Sequence, residues 1–168
     1  FLYPNEPINL GDRVQALSKD GSLPVLQKWR YVHTPGHAPG HVSLFRDTDR
    51  LLIVGDAFVT TRQESAFSVM VQRKVLSGPP RYFTYDWPAA AESVKKLHEL
   101  APAIAASGHG KPMHGNELLE GLERLVKNFD RLAVPADGRY VHEPAHINKL
   151  GKADLPPPKK MANPMLVA

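Results

Sequence analysis

"HTPGHAPGHVSL", residues 33–44, sets histidines at positions 33, 37 and 41, with prolines at 35 and 39 and glycines at 36 and 40 between them. A spacing of four is the one that puts two imidazoles on a single helix face, where they can grip a zinc ion. The prolines forbid that helix, because each lacks an N–H and pushes its predecessor out of helical geometry. The segment is therefore a stiff loop. The flanking stretches, "WRYVHT" (29–34) and "HVSLFRD" (41–47), are rich in β-branched and aromatic residues and read as strands. The histidines thus lie on a turn between two strands, a place where a scaffold often presents functional side chains.

Two further segments share that design. "RLLIVGDAF" (50–58) contains a continuous apolar run at 51–54, the pattern of a fully buried strand, and it ends on Gly55-Asp56. A carboxylate at the end of a buried strand is costly to desolvate unless it is paired or bound to a cation. "PAIAASGHG" (102–110) reads as a short buried strand that ends in glycines around His109. Strand ends collect on one rim of a sheet, and histidine with carboxylate suits zinc or iron.

The rest of the chain supplies scaffold. A strand is expected at 13–17, turns at 19–22 and 47–49, a short helix within 60–75, and a Gly/Pro-punctuated loop at 77–88. Asp86 caps a helix with Pro88 in its first turn, running through residue 100. A second helix spans 116–133, with Leu118, Leu122, Leu125, Val126 and Phe129 on one stripe. From Val134 onward prolines and charges multiply, and the chain reads as an irregular tail with one short strand at 139–141.

Composition narrows the chemistry. With 168 residues and 42% hydrophobic content, the chain can build one domain-sized core. It has no cysteine, which excludes disulfides, thiolate nucleophiles and cysteine-held zinc, and leaves His, Asp and Glu as the strong metal ligands. No stretch approaches the roughly 20 apolar residues of a membrane-spanning helix, so no membrane partner is expected and a cytoplasmic location is. The net charge of +4 comes from dispersed basic residues, with doublets only at 73–74, 95–96 and 159–160. That is a solvated surface rather than a nucleic-acid stripe.

In combination these segments resemble the metallo-β-lactamase superfamily, in particular its glyoxalase-II-like and lactonase-like hydrolases. "TPGHAPGHVSL" looks like the family's third ligand motif, "GDAF" like its fourth and "SGHG" like its fifth, in order, over about residues 9–133. The resemblance implies an α/β fold, an αβ/βα sandwich of which this chain forms chiefly the C-terminal half: one mixed sheet with helices on its outer face. Residues 1–141 would belong to that domain, and 142–168 would be the Pro-rich tail. His37 would bind a first metal, Asp56 would bridge two metals as the catalytic carboxylate, and His109 would bind the second. His41 would support the loop rather than coordinate. Tyr82 and Tyr85, between the fourth and fifth motifs, are candidates for contacting substrate.

The family's first motif, His-x-His-x-Asp-His, occurs nowhere in this sequence. A complete dinuclear site is not expected from this chain alone, and the isolated chain is expected to be inactive. Phe1 in place of Met is read as a shortened chain or one member of a two-chain assembly; a relative that has lost catalysis is the third reading. The apolar sheet face left bare would favour the missing N-terminal half, a second chain or a homo-oligomer. For the complete protein the resemblance implies two zinc ions, with iron or manganese as alternatives. Metal-activated hydroxide would attack a small ester, thioester or lactone. A non-haem iron enzyme similar to persulfide dioxygenases and a non-catalytic binding or assembly module are the competing expectations.

Overall fold

The computed structural model describes residues 10–61, 74–148 and 153–157. Five strands form one mixed sheet in the order of the chain: β1 (Arg30–His33), β2 (Val42–Arg46), β3 (Leu51–Gly55), β4 (Ile104–Ser107) and β5 (Met113–His114). Strands β1, β2 and β3 are antiparallel neighbours, β4 runs parallel to β3, and β5 returns antiparallel to β4. A parallel step needs a crossover, and α1 (Trp87–Glu99) lies within the one between β3 and β4. After β5 come α2 (Gly115–Lys127) and the one-turn α3 (Phe129–Leu132).

Helix α1 begins where its chemistry dictates. The Asp86 carboxylate accepts the Ala89 N–H at 2.9 Å, and Pro88 fills an early position that has no N–H to lose. Its buried stripe of Trp87, Ala90, Ser93, Val94 and Leu97 meets Leu118, Leu122 and Leu125 of α2, and both helices lie on Leu52, Val54 and Ala105 of the sheet. Loss of the cap is expected to destabilise the chain modestly. Asp86→Ala should cost about 1 kcal/mol, read as a lowered urea midpoint with an unchanged slope.

The opposite sheet face has no such cover among the described residues. Tyr31, Leu44, Ile53 and Ala106 are register partners across four strands, and Ile53 is 41% exposed between Leu52 and Val54, which are fully buried. The apolar run at 51–54 is therefore buried on one face rather than two, a correction to its reading as a fully buried strand. Continuous apolarity reports two faces that favour burial, and among the described residues only one of them is covered.

Other expectations also change. The strand at 13–17 is absent: a 3-10 turn at Gly11–Arg13 precedes extended chain, with Val14 65% exposed. The helix at 116–133 breaks at Asn128, whose backbone leaves helical geometry while its amide bonds the Arg124 carbonyl. That local competition with the helix is typical of Asn. Residues 139–141 form a turn, and the short antiparallel pair instead lies between β6 (His146–Ile147) and β7 (Ala153–Asp154). The helix expected within 60–75 falls largely outside the described residues. No helix of the described residues is long and apolar enough to cross a membrane.

Candidate metal centre

His37, Asp56 and His109 converge at the ends of β1, β3 and β4. His37 Nε2 lies 3.5 Å from Asp56 Oδ2, and His109 Nε2 lies 3.6 Å from Asp56 Oδ1. Both distances exceed an N–H···O hydrogen bond. They match the roughly 3.4 Å that separates two donors each about 2.1 Å from one tetrahedral ion. Asp56 Oδ1 is also buried without a hydrogen-bond partner, an arrangement that costs free energy unless a cation meets it. The donor set therefore fits metal. Among the described residues no three His, Asp or Glu side chains surround a single point; the histidines instead flank different oxygens of one carboxylate.

His41 stands beside this cluster in another role. The Asp56 backbone N–H donates to His41 Nε2 at 2.9 Å, so that nitrogen is an acceptor and Nδ1 carries the proton. Nδ1 faces the Thr34 hydroxyl at 2.8 Å and the Thr34 carbonyl at 3.1 Å. Ser43 donates to the Val54 carbonyl at 2.8 Å, so the Thr34 hydroxyl donates to Ser43 at 3.1 Å and accepts from His41. The chain of donors starts at the Asp56 amide and ends on Val54, closing a circuit around the end of β3. With both nitrogens engaged, neutral His41 fixes the turn that aims Asp56. Gly55 makes the contact feasible: its φ is +62°, and a Cβ there would sit 2.5 Å from His41 Nε2.

Hydroxyl groups stand beside the two histidines that flank Asp56. The His37 Nδ1 side faces Thr84 Oγ1 at 3.5 Å, and that hydroxyl donates to the Pro80 carbonyl, which leaves its lone pair toward His37. With Nδ1 turned toward Thr84, Nε2 is left for Asp56 and a metal. The His109 carbonyl accepts from the Thr60 amide, the Thr60 hydroxyl and the Ser107 hydroxyl at 3.1, 3.2 and 2.7 Å. His33, with no role expected from sequence, donates Nε2–H to the Pro39 carbonyl at 2.8 Å and closes the histidine loop. Nothing in the sequence marks Thr34, Thr60, Thr84 and Ser107. Their signal was a small hydroxyl residue close to a ligand motif, too common a feature to stand out alone.

Burial favours neutral imidazoles here. It pushes the His37 pKa below its ordinary value, opposed by the charge of Asp56, and it lowers that of His41 against the Thr34 hydrogen bond. The unfolded chain takes up these protons near pH 6.5 and the folded chain resists. Stability is thus fully present above that value and is lost as pH falls below it toward the folded pKa values. Melting curves of the metal-free chain should show a Tm that declines below pH 6.5, and His41→Asn should flatten that decline.

The two tyrosines do not share one location. Tyr85 packs its ring on Tyr140 at 4.9 Å and lines a cavity of about 260 Å³ against Pro35, Gly36 and Pro39 of the histidine loop. Tyr82 is 81% exposed and lines a different cavity, walled in part by Thr84.

Comparison with known proteins agrees with this architecture. A family model described as the metallo-beta-lactamase superfamily matches residues 2–109. "Probable metallo-hydrolase YflN" of Bacillus subtilis (strain 168) is 45% identical over 131 residues, which is 78% of this chain and 50% of that protein. "Probable metallo-hydrolase YybB" of the same organism is 31% identical over 133 residues, 76% of this chain and 51% of its own. The crystal structure of metallo-beta-lactamase family protein TTHA1429 from Thermus thermophilus aligns with a TM-score of 0.45 at 24% identity, covering 67% of this chain and 34% of that one. The chain spans about half the length of the curated relatives it matches.

Proposed function

The chain belongs to the metallo-beta-lactamase superfamily, and from that premise we propose that it forms part of a metal-dependent hydrolase acting on a small ester, thioester or lactone. The observation that carries the reading is Asp56, whose carboxylate presents one oxygen to His37 and the other, buried and without a hydrogen bond, to His109. Such a carboxylate would hold metal together with the two imidazoles. Metal bound there supplies Lewis acidity toward a carbonyl oxygen and a lowered pKa for water; zinc is the proposed metal, since imidazole and carboxylate suit it.

The chain's own residues then have separable tasks. His37 and His109 contribute imidazole nitrogens; Thr84 stands beside Nδ1 of His37, and the Thr60–Ser107 pair holds the backbone of His109. Asp56 contributes the charge that holds both positions together, and the His41 circuit keeps it aimed. Tyr82 or Tyr85 is proposed to contact substrate. The remaining donors come from outside the described residues, supplied by an N-terminal half or by a second chain. That partner also covers the sheet face carrying Leu44 and Ile53.

The test is hydrolysis of a panel of esters, thioesters and lactones by the longest polypeptide that contains this chain. Turnover should vanish on dialysis against a chelator and return with zinc. Hydrolysis indifferent to chelator, or oxygen consumption restored by iron without hydrolysis, would overturn the proposal.

A further inference from the structure

A cavity of about 420 Å³ adjoins the candidate metal centre, within the size range of small-molecule sites. The two share Thr84, which lines the cavity and approaches His37 Nδ1. Its apolar surface comes from Tyr82, Trp87, Tyr140 and Val141, and its charged surface from Arg81, Asp137 and Arg139. Residues 135–141, read from sequence as the start of an irregular tail, form one whole side of it.

The charged groups on the wall are not equivalent. Arg81 spends Nε and one terminal nitrogen on the carbonyls of Ala133 and Leu132, both at 2.9 Å, and Asp137 is itself partnered. Arg139 is held differently. Its Nε donates to the Pro156 carbonyl at 2.6 Å, and its guanidinium lies 5.5 Å from the centre of the Tyr140 ring. Tyr140 is in turn braced by the ring of Tyr85. Among the described residues the two terminal nitrogens of Arg139 have no hydrogen-bond partner, so a planar pair of donors is oriented and available.

We propose that this cavity binds a small apolar or aromatic carboxylate. The hydrophobic body packs on Tyr82, Trp87 and Tyr140, and the carboxylate meets the terminal nitrogens of Arg139. Guanidinium matches carboxylate geometry with two parallel N–H donors, and the aromatic walls supply apolar contact area. A single available guanidinium balances one negative charge, which selects a carboxylate over a dianionic phosphate. Resting on the hydrolase reading, this names the substrate class: an ester, thioester or lactone with an apolar group that ends in a carboxylate remote from the scissile bond. Binding itself needs neither metal nor turnover.

The experiment titrates the metal-free 168-residue chain with 4-phenylbutyrate and with its neutral amide, using backbone amide NMR shifts for affinity and location. The acid should bind about tenfold more tightly than the amide, with shifts at Tyr82, Thr84 and residues 138–141. Arg139→Gln should reduce acid affinity to that of the amide and leave amide affinity unchanged. Tyr82→Ala, at an exposed position that the fold does not need, should weaken both ligands. Equal affinities for acid and amide, absence of saturable binding, or an acid preference that survives Arg139→Gln would each overturn the proposal. Loss of metal-dependent hydrolysis would leave these results unaffected, so the two readings fail separately.

Discussion

Asp56→Ala should lower the zinc affinity of this chain by at least about 100-fold while leaving the Tm of the metal-free chain unchanged or higher. The two effects have one cause. Asp56 Oδ1 is buried with no hydrogen-bond partner, and both nearby imidazoles stand too far away to donate one. A group in that state stabilises nothing in the metal-free fold, and its removal relieves a desolvation cost. With metal present the balance reverses, because the same oxygen carries the charge that attracts the ion. His41→Ala provides the comparison. It deletes the acceptor of the Asp56 amide and should cost about 10-fold in zinc affinity, the lower end of the effect of losing an orienting partner. It should also lower the Tm, since it leaves a backbone N–H unpaired. Competition against a chromophoric chelator measures both affinities. Comparable losses in the two variants would mean that Asp56 is not the central ligand.

Gly36→Ala should be the most destabilising single-methyl change in the histidine loop. Gly36 has φ +131°, and a Cβ there would lie 2.4 Å from Ala90 N and 2.5 Å from its Cα, inside the backbone of α1. A helix backbone cannot move aside as a side chain can. The same residue's carbonyl accepts the N–H groups of both Tyr85 and Asp86 at 3.0 Å, so displacement would also undo the entry to α1. Ser93 and Lys96 fasten the loop to the same helix through the carbonyls of Pro35 and His33. We expect a loss of about 3–5 kcal/mol, a large share of a typical domain's stability, and a fall in Tm of about 10 °C or more. Gly40→Ala tests the specificity of this expectation. Gly40 has open space around its Cα and no positive φ, and the change should stay within about 0.5 kcal/mol. Equal effects at the two glycines would contradict the packing described.

These glycines illustrate what could be read from the chain alone. The prolines between the histidines dictate a loop, and "LLIVGD" and "AASGHG" dictate strands that end in ligand-capable side chains, so the convergence of His37, Asp56 and His109 was legible in order. Gly36 and Gly40 look alike in that reading, because which one meets a helix is decided by a residue more than fifty positions away. The one-sided burial of β3 was equally hidden: Ile53 has the sequence of a buried residue, and its exposure is set by what packs on the far face of the sheet. Hydroxyls of Thr34, Thr60, Thr84 and Ser107 carry no pattern of their own, although they stand beside the rings of His41 and His37 and hold the backbone of His109. The segment at 135–141 reads as irregular and is irregular; prolines and charges speak against regular structure, not against a place in a cavity wall.

The most direct test follows the imidazole nitrogens of the chain by ¹⁵N NMR during a zinc titration. We predict that Nε2 of His37 and of His109 shift together with added zinc, while His41 keeps its Nδ1-protonated form throughout. Shifts confined to His98, His114, His142 or His146, or a His41 that changes tautomer on titration, would contradict the assignment of Asp56 and its two flanking histidines as the metal-binding rim.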